Sequence, residues 1–397
     1  MKIVFLAPFG IRPKGTVIAR MLPLATELQQ LGHRVTIVAP PYTNPEDSGK
    51  EEVVRGVLLR NARLGPRSKA LSALALSWRL FRAALAEKPD LVHLFKPKGY
   101  AGLAAMFQLS LRRLGLRLPP VVLDTDDWEG RGGMNEVLDY SPLEKYLFAA
   151  QEQWLLRNAC VVTVASRGLA EQAVGMGIPP ERLLYLPNCV ATTSEGNGTA
   201  VRERLGIGTE APVVLLYTRF FEFEQERLHR VFGEIRRRVP GVRFLVVGKG
   251  RRGEEGELLA AGRAGGFSDA LLMAGWVEPA ELPDYLAAGD VAIYPFADNL
   301  VNRCKCPAKL TELLMAGKAV VGDRVGQVAE YVKDGVSGIL CDPGDWEAMA
   351  AGTVELLLDP ERRHGLGRAG RQYLLEHFSW RDYAVQLDRF YREHVNL

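Results

Sequence analysis

Short runs of apolar, often β-branched residues alternate with longer helical patterns from one end of the chain to the other. In the first half the runs fall at 2–8 (KIVFLAP), 33–40 (HRVTIVAP), 91–95 (LVHLF), 121–127 (VVLDTDD), 160–166 (CVVTVAS) and 183–188 (LLYLPN). In the second they fall at 213–218 (VVLLYT), 243–248 (RFLVVG), 271–276 (LLMAGW), 291–296 (VAIYPF), 319–323 (AVVGD) and 338–341 (GILC). Continuous runs of this kind suit strands covered on both faces, hence parallel sheets flanked by helices. The series restarts after ATTSEGNGTA (191–200), a polar stretch with linker composition. The expectation is an α/β protein of two doubly wound, Rossmann-like domains, 1–195 and 196–379. Ligands are expected at the carboxyl ends of the strands and in the cleft between domains.

Length agrees, because 397 residues exceed what one ordinary core holds. No run of about 18 uncharged apolar residues occurs, which argues against a membrane-spanning helix. The opening MKIVFLAPFGIRPKG reads as a first strand and not as a signal peptide, for it lacks a small-residue cleavage site. Five cysteines without framework spacing point to a reducing compartment, so a cytoplasmic protein is expected. Charge is uneven: residues 1–190 hold 24 Lys+Arg against 17 Asp+Glu, the remainder 26 against 30. That imbalance is compatible with a peripheral contact at the inner membrane face. It is too mild for nucleic acid, and aromatic–basic interleaving is absent.

The most informative stretch is NRCKCPAKLTELLMAG (302–317). Cys304 and Cys306 lack the second ligand pair a structural zinc needs and the two-residue spacing of a redox motif, so they read as packing residues at a tight turn. Pro307 precedes a helix carrying Lys309 and Glu312 and closed by Gly317. Arg303, Lys305 and Lys309 crowd its N-terminus, where free N–H groups and the helix dipole favour an anion such as phosphate. Glu312 has the valence to accept two hydroxyl hydrogen bonds, as from a ribose diol. A solvated charge cluster with an ordinary surface glutamate is the competing reading. Gly248, Gly250 and Gly253 have dinucleotide-fingerprint spacing, but two acids follow where a pyrophosphate would dock, so a close turn is preferred to an NAD site. The helical stretch 67–88, with Arg67, Lys69, Arg79 and Arg82 around an apolar body, reads as a packed helix before an interfacial one.

Residues 307–345, PAKLTELLMAGKAVVGDRVGQVAEYVKDGVSGILCDPGD, resemble the donor-binding segment of retaining glycosyltransferases of family 4, which have the GT-B fold. Further matches fall in the family's order: GTVIARMLPLATELQQLGHRVTIVAP near the start, RLLYLPNCV (182–190), LLYTRF (215–220), FLVVGKG (244–250), AGWV (274–277) and HFSWRDYAVQL (377–387). The resemblance implies an acceptor-side first domain, a nucleotide-sugar-binding second domain, and a helix over 380–397 packing back on the first. It implies a nucleotide-sugar donor, UDP- or GDP-linked, a hydroxyl acceptor, and no required cofactor or metal. Arg219 matches the diphosphate-binding arginine, and Glu312, with Leu310 beside it, the ribose-binding position. The backbone near Val277 would face the base, while Gly15 and Thr16 match a loop abutting donor phosphates and acceptor. At the position facing the reacting centre Asp127 is the first choice and Asp126 the second, with a helix N-cap as the structural alternative.

Two departures stand out. The lysine that usually follows the arginine is replaced within FFEFEQERL, leaving Arg303, Lys305 or Lys309 to substitute, and Cys304 stands where the family's first paired glutamate would be. The resemblance therefore leaves two rivals: a sugar-nucleotide epimerase or hydrolase of the same fold, and a catalytically silent nucleotide-binding scaffold.

Overall fold

In a computed structural model of the protein, the structure is described for residues 1–12, 15–65, 69–191 and 195–395, the side chains of 69–71 excepted. The chain forms two compact units. Unit 1 comprises Met1–Cys189, Cys304–Cys306 and Trp380–Leu397, and unit 2 comprises Val190–Arg303 and Pro307–Ser379. The expected break at 195/196 thus lies inside unit 2.

Unit 1 is built on strands β1 (Lys2–Leu6), β2 (Arg34–Ala39), β3 (Glu51–Val54), β4 (Val57–Asn61), β5 (Leu91–Phe95), β6 (Val121–Thr125), β7 (Val162–Val164) and β8 (Leu183–Tyr185). Their order across the sheet is β3-β4-β2-β1-β5-β6-β7-β8. Every pairing is parallel except β3 with β4. β5 and β6 are buried along their whole length, their polar members His93, Asp124 and Thr125 included. Unit 2 has β9 (Val213–Tyr217), β10 (Arg243–Val247), β11 (Leu271–Gly275), β12 (Val291–Tyr294), β13 (Ala319–Asp323) and β14 (Ile339–Cys341), all parallel, in the order β11-β10-β9-β12-β13-β14. In each sheet the order reverses beside the first strand, between β1 and β5 and between β9 and β12. Doubly wound sheets bind ligands at such switch points, outside the carboxyl ends of the strands.

The sequence pattern missed the β3–β4 hairpin. EEVVRGVLLRN alternates like an exposed edge, and its two-residue turn is Arg55–Gly56, both at positive φ (52° and 79°), without the usual Asn-Gly signal. The 191–200 stretch is less of a linker than its composition suggests. Residues 192–194 lie outside the described residues, and a helix, Gly198–Arg204, already starts within it, capped by Asn197 accepting from the Ala200 amide at 3.2 Å. Over 67–88 the helix runs Lys69–Ala86, with Arg67 and the Lys69 side chain outside the described residues. Leu76, Leu80 and Ala84 are buried on one face, Leu74 and Trp78 are exposed on another, and Arg79 is turned back onto the Arg63 and Leu64 carbonyls. Among the described residues no helix is long and apolar enough to cross a membrane.

A buried polar chain runs through unit 1. Arg20, on a π-helical turn (Val17–Met21), holds both oxygens of Asp124 at 2.9 and 2.6 Å. Thr163 donates to Asp124 Oδ1 at 2.5 Å and stands 3.4 Å from His93 Nε2, while Tyr391 OH lies 2.6 Å from His93 Nδ1. Because Thr163 gives its proton to Asp124, its oxygen accepts from His93 Nε2–H. Tyr391 then donates to Nδ1, which assigns the Nε2 tautomer. Burial, opposed by Asp124, pushes His93 down to about 4. The unfolded chain takes up this proton near pH 6.5, the folded one only near 4. Stability is therefore complete above pH 6.5 and falls as pH drops towards 4, by about 3 kcal/mol at most from this group. Unfolding measured across that window should show a steeper acid loss for the wild type than for His93→Phe.

Candidate active site

Unit 2 offers a site at its switch point. Thr218 and Arg219 follow β9, and the helix Ala308–Met315 begins after Pro307 without a side-chain cap. Its short length brings Lys309 and Glu312 to one side and buries Leu310, Leu313 and Leu314 on the other. The centre of the group is Tyr217, the last residue of β9. The Lys309 ammonium lies 3.2 Å from the centroid of the Tyr217 ring, and burial, reinforced by the nearby Glu312 charge, raises the phenol's pKa. Glu312 is open to solvent on one side, yet the surrounding protein raises its carboxyl pKa, against the pull of Lys309, the Tyr217 hydroxyl and Arg219. A small pocket beside them is lined by Tyr217, Thr218, Glu222, Tyr294, Pro295 and Lys309.

Arg219 is part-exposed, 3.6 Å from Glu222 and 5.2 Å from the centroid of Phe221. Arg251, in the turn after β10, lies 5.0 Å from the same ring. A second guanidinium therefore stands near the arginine where the family's lysine is missing. Between these two arginines Phe220 has φ 67°, one of four described non-glycine residues at positive φ, and strained backbone of this sort collects at functional sites. The glycines of the fingerprint-like turn serve close packing: at Gly248 (φ 120°) a Cβ would lie 1.9 Å from the Thr218 carbonyl. Glu255 and Glu254 accept from the Gly250 and Arg252 amides at 2.7 Å each, so the chain's own carboxylates occupy this turn.

The remaining donor-side candidates are placed as follows. Arg303 pairs with Asp298 (Nη2–Oδ2 2.7 Å), and Lys305 is buried and groups with unit 1. Leu310 is fully buried, its amide donating to the Pro307 carbonyl at 3.2 Å, so its side chain belongs to the core. Val277 follows β11, half-buried next to the exposed Trp276. Gly15 is exposed, with its carbonyl accepting from Ala19 N at 2.7 Å, and Thr16 is half-buried at the start of the π-helical turn. Cys304 and Cys306 are buried, and Cys306 Sγ accepts from the Asn188 amide at 3.1 Å.

Unit 1 carries a second cluster at the carboxyl ends of β5 and β6. Lys96, which follows β5 at φ 64°, reaches Asp126 at 2.8 Å, Asp127 at 2.6 Å and Glu129 at 3.8 Å. Lys98 reaches Glu129 at 2.6 Å and Asn135 at 3.1 Å. Burial raises the pKa of Asp126, with Lys96 opposing and Asp127 reinforcing the shift. Neither aspartate caps a helix, because the next one starts at Met134 with Gly133 as its N-cap. Asp124, the first carboxylate of DTD, is enclosed by Arg20 and Thr163. Sequence reading overlooked Lys96, Lys98, Arg20 and Tyr217. The signal for the first two was FKPKG, two lysines directly after a fully buried strand.

Two parallel doubly wound units, each with charged groups near the carboxyl ends of its strands, match the two-domain make-up of the GT-B fold. Residues 15–189 match the model of the glycosyl transferase 4-like domain and residues 211–359 that of glycosyl transferases group 1, and the chain belongs to the family 4 glycosyltransferases. It is 30% identical over 237 residues to the GDP-mannose-dependent alpha-(1-6)-phosphatidylinositol monomannoside mannosyltransferase of Mycolicibacterium smegmatis, a match spanning 58% of this chain and 61% of that one. Glycogen synthase of Mycobacterium tuberculosis is 24% identical over 398 residues, 93% of this chain and 88% of the relative. Among solved structures, Anabaena HepE in complex with UDP-glucose superposes with a TM-score of 0.73 at 19% identity, covering 98% of both chains. Sucrose-phosphate synthase from Thermosynechococcus elongatus gives 0.74 at 18% identity, covering 99% of both. These structural likenesses show the fold.

Proposed function

We propose that the protein transfers a sugar, with retention of anomeric configuration, from a nucleoside-diphosphate donor held by unit 2 to a hydroxyl acceptor held by unit 1. The observation that carries this reading is the grouping of Lys309 and Glu312 around Tyr217 at the β9/β12 switch point, with Arg219 charge-coupled to Glu312. Arg219, Arg251 and Lys309 supply positive charge for a leaving diphosphate, whose negative charge grows as the glycosidic bond breaks. Ionised Glu312 accepts hydrogen bonds from the ribose hydroxyls. In unit 1, Asp127, 2.6 Å from the Lys96 ammonium, accepts the acceptor's hydroxyl hydrogen bond. The names of relatives that specify GDP-mannose or hold UDP-glucose support a UDP- or GDP-linked donor. Exposed Leu74 and Trp78 support a peripheral lipid contact through the Lys69–Ala86 helix.

The test is thermal stabilisation by UDP, GDP, ADP and CMP. A specific nucleoside diphosphate at ~100 times its Kd should add about 2.7 kcal/mol of stability, and Glu312→Ala should remove that gain. Because the Glu312 pKa is raised, the gain should also shrink on acidification from above the usual glutamate range. Absence of stabilisation by all four nucleotides would reject the reading and leave the silent scaffold in its place.

A further inference from the structure

Unit 1 contains a cavity of about 550 Å³, within the size range of small-molecule sites. Its walls come from the loop after β6 and from one face of the helix Pro142–Asn158, notably Trp128, Arg131, Tyr146, Ala149, Ala150 and Gln153. Only one residue separates Trp128 from Asp126, so the cavity adjoins the carboxylate cluster along the same loop. The loop is shaped around the indole: a Cβ on Gly130 would lie 2.5 Å from the Trp128 ring, and one on Gly133 2.2 Å from the Trp128 carbonyl. The Trp128 Nε1–H donates to the Arg131 carbonyl at 3.1 Å, which fixes the ring. At the rim Lys145 and Glu136 neutralise each other at 2.9 Å. The Arg131 and Gln153 side chains make no hydrogen bond among the described residues. Aromatic edges with uncommitted donors suit a ring that has an apolar face and several hydroxyls.

The same helix presents a second feature. Leu143, Tyr146 and Leu147 are 67%, 63% and 52% exposed, while Glu152, Leu155 and Leu156 face the core. Tyr146 lines the cavity, and Leu143 and Leu147 each lie one residue, about 100° of helical rotation, beyond the cavity-facing positions 142 and 146. An apolar strip thus runs directly from the cavity wall. Large apolar side chains left exposed together over successive turns mark a binding surface more than chance composition.

We infer that this cavity seats the acceptor, and that the acceptor is an amphiphile: a hydroxylated ring in the cavity, joined to an apolar chain lying along Leu143 and Leu147. The inference rests on the glycosyl-transfer reading and adds the acceptor's chemical class to it. A free sugar would leave the strip uncovered, whereas a purely apolar ligand would bury the Arg131 and Gln153 groups without partners.

The test uses the full chain and four probes below their micellar concentrations: methyl and octyl β-D-glucopyranoside, and methyl and octyl α-D-mannopyranoside, with binding followed by ligand-observed NMR. At least one octyl glycoside should bind about tenfold or more tightly than its methyl counterpart. The double substitution Leu143→Ser, Leu147→Ser should erase that difference while keeping the methyl glycoside's binding. Ala150→Trp, which fills the cavity, should weaken both about tenfold. Thermal unfolding and nucleoside-diphosphate stabilisation of each variant report that the protein is folded. No binding of any probe at millimolar concentration, or an octyl advantage untouched by the serine pair, would overturn the inference. A chain-length effect in a protein that no nucleotide stabilises would instead reject the transferase reading and retain the amphiphile site.

Discussion

Replacing Arg20 by methionine should destabilise unit 1 by about 3–5 kcal/mol, the usual cost of leaving a buried charge without its partner. Arg20 and Asp124 are both almost fully buried, and two hydrogen bonds join them. The guanidinium also donates to the Leu186 carbonyl at 2.7 Å and to Asn188 at 3.2 Å, tying the π-helical turn near the start of the chain to the segment after β8. Methionine fills much of the same volume, so packing loss is small and the electrostatic loss dominates. Among the described residues Asp124 would keep Thr163 as a near donor. Urea unfolding of Arg20→Met, Asp124→Asn and the double variant measures the coupling. The double variant should be more stable than the sum of the single losses implies. A single-variant loss below about 1 kcal/mol would mean that water reaches Asp124 and that the pair is not structural.

The second large effect is on turnover. Lys96→Met should lower kcat by about a hundredfold, in the range seen when one preorganised polar group is removed from a reacting centre. The lysine holds Asp126 and Asp127 together, and its charge lowers the pKa of Asp126. Without it two neighbouring carboxylates cannot both ionise readily, so one keeps a proton to higher pH. The acidic limb of the pH–rate profile should therefore move upward, and Lys96→Arg should bring much of it back. Nucleoside-diphosphate stabilisation, which we propose belongs to unit 2, should stay at the wild-type level. A lysine that merely packed would change unfolding and leave the profile where it was.

How far the sequence reveals this structure depends on where each residue's partner lies. All twelve strands read from continuous apolar runs are present, because a strand buried on both faces needs apolar residues at every position, whatever its neighbours. The hairpin β3–β4 is an edge feature with one solvated face, and its alternating residues resemble loop composition. In the site, Arg219 and Glu312 were found through local motifs, whereas Tyr217 hid inside the apolar run of β9 and Lys96 in a short loop. Their roles appear only once partners distant in sequence are brought together: Lys96 with Asp127, Tyr217 with Glu312.

Unit 1 closes on itself only through residues far along the chain. Tyr391 meets His93, and Asp388 meets His33 at 2.9 Å. On the ribosome, the first half therefore emerges with His93 lacking its phenol and with the helix Leu22–Gln30 lacking the Trp380–His394 helix against it. Unit 2, drawn largely from one continuous stretch, is complete before those last turns are made. Vectorial synthesis thus makes every residue of unit 2 before the Trp380–His394 helix of unit 1.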